Sequence, residues 1–288
     1  MLPLILAAVT VAAADSSPAV LALVERSEAA RRAGRIDEAL RIVEAGAPTG
    51  ASPADRLRLR LQRARCVYSR GSLAGTAHDA VIADLRAIAS DAARDGTDRL
   101  LADTKDQLGL ALYARDFRAT DQAESRALFE DALALRRAAD DRRGIAESLF
   151  HVALTWENRQ AATPSDKARS RALHEESLAA AEAGGFDVEA AYAVRHLAGH
   201  KQDAGDLDGA LAGFERSLAL REKAGYAISL APSLLAVGDV WKDKGDAAKA
   251  RAFYERARVE ADRIGSARFR RMADEALAAL PSPPPSRP

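Results

Sequence analysis

The chain has 288 residues, and its 42 basic residues balance its 42 acidic residues. A formal net charge of zero provides no overall field that would attract a nucleic acid or an anionic membrane, so we expect neither as a partner. Hydrophobic residues make up 48% of the chain but aromatic residues only 5%, so the core must consist mainly of alanine, leucine and valine. Glycine and proline separate segments of helical periodicity, which predicts an all-α fold.

Residues 1–14 form an apolar run that ends in Ala-x-Ala. This pattern predicts a secretory signal peptide that is cleaved after Ala14, and hence a periplasmic or secreted protein with no stable membrane span after processing. The run itself is too short to cross a bilayer comfortably. Its only positive charge is the α-amino group, which leaves a second interpretation open: a cytoplasmic protein that keeps this segment as part of its first helix.

Residues 15–100 are predicted to form degenerate helical hairpins, in segments 20–46 and 54–95. At the start of the second segment, arginines alternate with leucines as they would in a strand, but the apolar residues also share one helical face. The residues on that face are Leu57, Leu61, Ala64 and Tyr68. We prefer the helix because a lone strand would have no partner. The arginines then form a solvated face rather than a phosphate-binding patch.

Residues 101–280 contain a period of 40 residues, which is clearest where segment 194–217 aligns with segment 234–257. Each segment has a small residue, a Gly-Asp turn, an alanine, an aromatic residue and a second small residue at matching places. These residues are Ala198, Gly205, Asp206, Ala210, Phe214 and Ser217, and Gly238, Gly245, Asp246, Ala250, Tyr254 and Ala257. A fixed period of this kind predicts stacked helical hairpins. The small residue lets two helices approach, and the aromatic residue fills the wedge between them.

Two earlier segments, 102–139 and 146–184, carry the same pattern with longer turns. The first keeps a glycine and a phenylalanine at the paired positions. The second keeps Ala153 and places His174 where the later repeats have an aromatic residue. The Pro-rich tail, residues 281–288, cannot continue a helix and is predicted to be disordered.

These residues resemble the tetratricopeptide repeat family, in the longer-period form of about 40 residues found in bacterial members. The resemblance is strongest over residues 146–264 and weakens towards the N-terminus. It implies a right-handed α-solenoid of stacked antiparallel helix pairs. It also implies that the first helix of each pair lines a concave groove that binds a peptide or protein segment.

The groove positions that the resemblance implies lie in the first helices of four repeats. They are Asp103, Asp106, Leu110 and Tyr113; Glu147, Phe150, Leu154 and Asn158; Tyr192, Arg195 and Gln202; and Leu235, Asp239 and Lys242. Exposed apolar and aromatic anchors beside polar groups would suit an extended or helical segment. The alternative is a face that is merely solvated or covered by the termini of the chain.

Four histidines are predicted to lie near one junction between repeats. His151 and His196 occupy the same position in adjacent repeats, His200 follows His196 by one helical turn, and His174 lies in the helix between them. Such imidazoles could bind a metal ion or respond to pH. However, the motif HExxH is absent and no acid occupies an obvious third-ligand position. We therefore expect packed helix histidines and no metal site.

Motifs for catalysis are missing from the sequence, which has no GxGxxG, no P-loop and no GxSxG. Cys66, the only cysteine, is expected to be a buried thiol. The acids between 206 and 215 match part of a calcium loop but are better explained as helix caps. We expect a non-enzymatic scaffold without a cofactor that binds a protein or peptide. The alternative is a ligand-sensing regulatory solenoid of a signalling or transcriptional system, which rests on analogy.

Overall fold

The computed structural model describes residues 16–76, 78–117, 119, 122–157 and 161–281. All the regular structure in these residues is helical, which confirms the all-α prediction. Three predictions lie outside the described residues: the signal peptide with its cleavage site, the groove residue Asn158, and the tail beyond Pro281.

Thirteen α-helices run through the described part of the chain. They are α1 (Pro18–Arg32), α2 (Ile36–Glu44), α3 (Pro53–Ala74), α4 (Asp79–Asp95), α5 (Asp98–Arg115), α6 (Ala123–Ala138), α7 (Arg142–Glu157), α8 (Pro164–Gly184), α9 (Asp187–Asp203), α10 (Leu207–Lys223), α11 (Leu230–Asp243), α12 (Ala247–Arg263) and α13 (Ala267–Ala278). A 3₁₀ turn, Ala227–Ser229, precedes α11. The most extensive packing is within the pairs α5–α6, α7–α8, α9–α10 and α11–α12. Helix pairs are therefore the repeating unit, as predicted.

The Gly-Asp turns form as the sequence predicts. Gly205 and Gly245 have φ angles of 82° and 80°, a left-handed conformation that glycine adopts without steric cost. The side chain of Asp206 accepts a hydrogen bond of 2.8 Å from the backbone N–H of Gly209. Asp246 does the same in the next repeat. These carboxylates cap α10 and α12, and this satisfies N–H groups that have no partner within the helix.

The aromatic residues fill the wedge between the paired helices, again as predicted. A Cβ atom added to Gly238 would lie 2.5 Å from a ring atom of Tyr254, and one added to Gly109 would lie 2.7 Å from a ring atom of Phe129. Both rings are completely buried. His174 occupies the same position in α8 and is also completely buried.

The alternating arginines lie in α3, so the helical interpretation of that segment is confirmed. Several of them pair with acids from neighbouring helices: Arg60 contacts Asp91 at 2.8 Å, and Arg63 contacts Glu44 at 3.1 Å. Cys66 is buried, as expected.

The first helices of the repeats form an inner layer, in which α3 contacts α5, α5 contacts α7 and α7 contacts α9. The last helix, α13, returns to pack against α3. At this contact the hydroxyl of Ser266 donates a hydrogen bond of 2.9 Å to the carbonyl of Leu73. The N-terminal hairpins therefore contact the C-terminal end of the solenoid directly, a feature that the repeat pattern does not predict.

Within the described ranges, none of the helices combines the length and the apolar character that crossing a bilayer would require.

Replacing Gly238 with alanine tests the wedge contact. Alanine favours a helix by about 1 kcal/mol over glycine, but the new methyl group would collide with the buried ring of Tyr254, and overpacking costs about 1–3 kcal/mol. We expect Gly238→Ala to lower the free energy of unfolding, as measured by urea denaturation followed by circular dichroism.

Gly199, also in a helix, provides the matched control. A Cβ atom at Gly199 would meet no other atom within 4 Å. We therefore expect Gly199→Ala to raise the free energy of unfolding by about 0.5–1 kcal/mol. Equal effects of the two substitutions would contradict the wedge contact.

Candidate functional site

Several of the predicted groove residues are buried rather than exposed. They are Asp106, Tyr113, Phe150, Leu154 and Leu235, each with an exposed fraction of 7% or less. The expected exposure of these residues is wrong because α5, α7 and α9 pack against one another as well as against their own partners, and because Leu235 packs in a cluster with residues of α10, α12 and α13. Phe150, for example, lies against the ring of Tyr192 in the next repeat, with ring centroids 5.1 Å apart.

The remaining described groove residues are accessible in varying degree. Those that are partly exposed are Asp103, Leu110, Glu147, Tyr192, Arg195, Gln202 and Asp239, and Lys242 is exposed. Some already have partners: the amide of Gln202 donates to Asp243 at 2.7 Å, and Asp239 accepts from the hydroxyl of Tyr254 at 2.7 Å. Two of the partly exposed groove residues, Tyr192 and Arg195, lie next to the buried side chain of Arg221.

Arg136 lies near the end of α6 and is almost completely buried. Its guanidinium donates to the carbonyl of Gly144 at 3.0 Å and to the hydroxyl of Ser148 at 2.6 Å. Three carboxylates neutralise it, at distances of 3.0–3.1 Å: Asp103, Asp106 and Glu147. Burial opposes ionisation of Asp106, but His151 and Arg136 more than offset this and hold the pKa of its carboxyl well below the usual range.

Arg221 occupies the equivalent place near the end of α10. It follows the wedge residue Phe214 by seven positions, as Arg136 follows Phe129. Its guanidinium donates to the carbonyl of Ser229 and to the hydroxyl of Ser233, which correspond to the carbonyl of Gly144 and the hydroxyl of Ser148. The two repeats thus build the same buried pocket for an arginine.

The three acids that surround Arg136 have no counterparts around Arg221. In repeat register, the positions of Asp103, Asp106 and Glu147 are taken by Tyr192, Arg195 and Pro232. In the described part of the chain, no carboxylate lies within 4 Å of the charged nitrogens of Arg195 or Arg221. Arg195 and Arg221, the arginine pair, are thus two neighbouring cations without an ion-pair partner.

The surroundings of the arginine pair are aromatic and hydroxyl-rich. The guanidinium carbon of Arg221 lies 4.7 Å from the ring centroid of Tyr192. The hydroxyl of Tyr192 lies 3.2 Å from that of Tyr226 and 3.4 Å from that of Ser229. Burial lowers the pKa of Arg221, and burial together with Arg221 lowers the pKa of Arg195 to about 10, against the opposing influence of Tyr192, Glu157 and Asp239. Both arginines remain cationic at neutral pH.

A second polar cluster surrounds Glu157, the last residue of α7. One of its carboxylate oxygens, Oε2, lies 3.2 Å from Nε2 of His174 and 3.1 Å from Nε2 of His200. The other, Oε1, contacts Nδ1 of His196. We call Glu157, His174, His196 and His200 the Glu157 cluster. The expectation that no acid accompanies these histidines is therefore wrong.

The remaining histidine of the predicted group, His151, contacts Asp106 instead of Glu157, at 2.9 Å. Burial opposes protonation of His151, but Asp106 more than offsets this and raises its pKa. In the Glu157 cluster, burial would raise the pKa of Glu157, but the three imidazoles hold it well below the usual range. Burial lowers the pKa of His196 to about 4. Three imidazoles and one ionised carboxylate thus share a small, largely buried volume.

No protein-family model matches the chain, and no curated protein matches it in sequence. Solved structures do match it. BtubC (BKLC) from P. vanneervenii is 16% identical, with 94% of this chain and 98% of that chain covered and a TM-score of 0.50. A Rap protein complexed with Competence and Sporulation Factor is 16% identical, with 90% and 70% covered and a TM-score of 0.61.

A third match is a signal-transduction ATPase with a tetratricopeptide repeat sensor, from Pyrococcus horikoshii. It is 13% identical, with 90% of this chain and 38% of that chain covered and a TM-score of 0.54. The fold is a tetratricopeptide-like solenoid. The arginine pair and the Glu157 cluster are features of this chain's own side chains within that solenoid.

The two arginine pockets of the solenoid predict losses of stability of unequal size from the same substitution. Arg136→Met would remove the closest cation from three carboxylates, and breaking a buried ion pair costs about 3–5 kcal/mol. Arg221→Met would remove a buried cation that has no ion-pair partner, at the cost of hydrogen bonds worth about 0.5–1.5 kcal/mol each. We expect Arg136→Met to reduce the free energy of unfolding in urea much more than Arg221→Met. Equal losses would contradict the difference in charge compensation.

Proposed function

We propose that this solenoid is a protein-interaction scaffold and that it binds an acidic peptide or protein segment on its concave face. The observation that carries the proposal is the arginine pair. One repeat surrounds its buried arginine with three acids, whereas a later repeat provides the same pocket and replaces those acids with Tyr192, Arg195 and Pro232.

The physical argument is that two adjacent, largely buried cations are unfavourable without a counter-charge. A carboxylate from a partner would supply that charge, and a guanidinium can bind it through two parallel hydrogen bonds. Tyr192 and Arg195 are partly exposed, so Arg195 is reachable from solvent. Arginine and tyrosine are also the residue types that most often dominate binding energy at interfaces.

The structural neighbours support a binding role and also support a second candidate. One neighbour is a Rap protein in complex with Competence and Sporulation Factor, and another contains a tetratricopeptide repeat sensor. On that basis, the second candidate is a regulatory solenoid that senses a small anionic ligand at the arginine pair. The two candidates differ in whether binding requires a peptide chain or only the anion.

The test uses a displayed library of random peptides, selected on the full-length protein. We expect the selected peptides to share an Asp, a Glu or a C-terminal carboxylate. In fluorescence anisotropy, Arg195→Gln should weaken the binding of such a peptide by about 2 kcal/mol, roughly 30-fold in Kd. The reason is that the substitution removes one partner of a desolvated charge pair. Neutralising the acid of the peptide should weaken binding similarly, and the two changes together should not be additive.

Arg216→Gln is the matched control, because Arg216 is an exposed arginine on α10 that pairs with Glu182. It removes the same charge and should leave peptide affinity unchanged. Selected peptides without a shared acid, or equal losses in both variants, would contradict the proposal. Competition by acetate or phosphate alone at low concentration would favour the small-ligand candidate.

We further propose that the protein is exported, with residues 1–14 removed as a signal peptide. The support is the apolar run and its Ala-x-Ala ending. Intact-mass measurement of the native protein from separated cell fractions should find a chain that starts at Asp15 outside the cytoplasm. A cytoplasmic chain that retains residues 1–14 would contradict export and would favour the regulatory candidate.

A further inference from the structure

We propose that the Glu157 cluster is a binding site for one divalent transition-metal ion of the zinc type. The ligand atoms would be Oε2 of Glu157, Nε2 of His174 and Nε2 of His200. His196 would hold the carboxylate in place through its other oxygen. This inference goes beyond the proposed scaffold function and does not depend on the arginine pair.

The distances from the carboxylate to the two imidazoles suit a tetrahedral ion. Oε2 of Glu157 lies 3.2 Å from Nε2 of His174 and 3.1 Å from Nε2 of His200, and each of the three residues offers a ligand atom within 4.8 Å of those of the other two. An ion with bonds of about 2.0–2.2 Å in tetrahedral geometry separates its ligand atoms by about 3.3–3.6 Å. Only small side-chain shifts would therefore open room for the ion.

The donor set has the chemistry that such an ion prefers. Two imidazoles and a carboxylate are common ligands of zinc, and a site with three protein ligands keeps a fourth position for water or another donor. The contact of His196 with Oε1 fixes the direction in which Oε2 points.

Three helices position the ligands, and their placement also favours a cation. Glu157 ends α7, and His200 lies in the last turn of α9, so two helix C-termini with their partial negative charge are close to the site. His174 is completely buried at the wedge position of α8, which restricts its movement. The side chains of Glu157 and His200 remain 12% and 14% exposed, which gives an ion a route from solvent.

The test is metal binding by the full-length, tag-free protein after removal of metals with a chelator. We expect Co²⁺ to bind with one-to-one stoichiometry and to give the visible absorption bands of a tetrahedral site, and Zn²⁺ to displace it. His200→Gln and Glu157→Gln should each weaken Zn²⁺ binding at least 100-fold, because each removes a ligand. His196→Gln should weaken it by about 10–100-fold and keep the Co²⁺ spectrum.

His78→Gln is the matched control, because His78 is a buried histidine outside the cluster. It should bind both ions as the unchanged protein does. Circular dichroism and thermal unfolding of each metal-free variant establish that a loss of binding is not a loss of folding. If either His200→Gln or Glu157→Gln fails to fold, the other decides the outcome.

Two results would overturn the proposal. One is the absence of one-to-one binding of Co²⁺ and Zn²⁺ to the unchanged protein. The other is equal affinity in folded His200→Gln, folded Glu157→Gln and His78→Gln, which would show adventitious binding by surface groups only. Neither result bears on the peptide measurements, so the two proposals can fail separately.

Discussion

The contact between an aromatic ring on one helix and a glycine or alanine on its partner is the constraint on which this solenoid depends. Gly238 and Tyr254 show it most clearly, because no Cβ atom fits between them. This contact sets how closely two helices approach and at what register. Equivalent positions in different repeats therefore have equivalent surroundings, and a change of residue type at one of them alters chemistry without altering the backbone.

The two arginine pockets show what such a change can do. Arg136 and Arg221 meet the same carbonyl and serine hydroxyl, so both are held by the solenoid in the same way. Around Arg136 the protein's own carboxylates supply the counter-charge, and the pocket is a structural contact. Around Arg221 an acid position is occupied by Arg195, and no carboxylate of the described residues forms a close ion pair with either arginine, although Glu157 and Asp239 act on Arg195 from a greater distance. The difference lies entirely in the side chains, which is why similarity of fold alone shows nothing about it.

Features that depend on neighbouring residues could be predicted from the sequence, whereas features that depend on several helices could not. The turn at Gly245 and the cap at Asp246 follow from local backbone chemistry, and the fixed period predicts the pairing of helices. Exposure of Phe150 was predicted wrongly because it depends on how closely α7 and α9 approach. The contact of α13 with α3 joins residues 193 positions apart, as Ser266 and Leu73 show, and no repeat pattern encodes it.

Glu157 was missed although the repeat register contains a signal for it. Counting four residues on from the small residue leads to Tyr113, Gln202 and Lys242 in three repeats, and from Ala153 it leads to Glu157 rather than to Asn158. The segment between α7 and α8 is longer than the turns of the later repeats, so the repeat alignment is difficult to recognise at this position. A histidine buried at the wedge position needs a polar partner, and Glu157 provides it for His174. Glu157 and His174 each differ from the residue type that the other repeats have at that position, and the two side chains are in contact. Together they indicate a polar site at that junction, whereas a phenylalanine in place of His174 would provide packing alone.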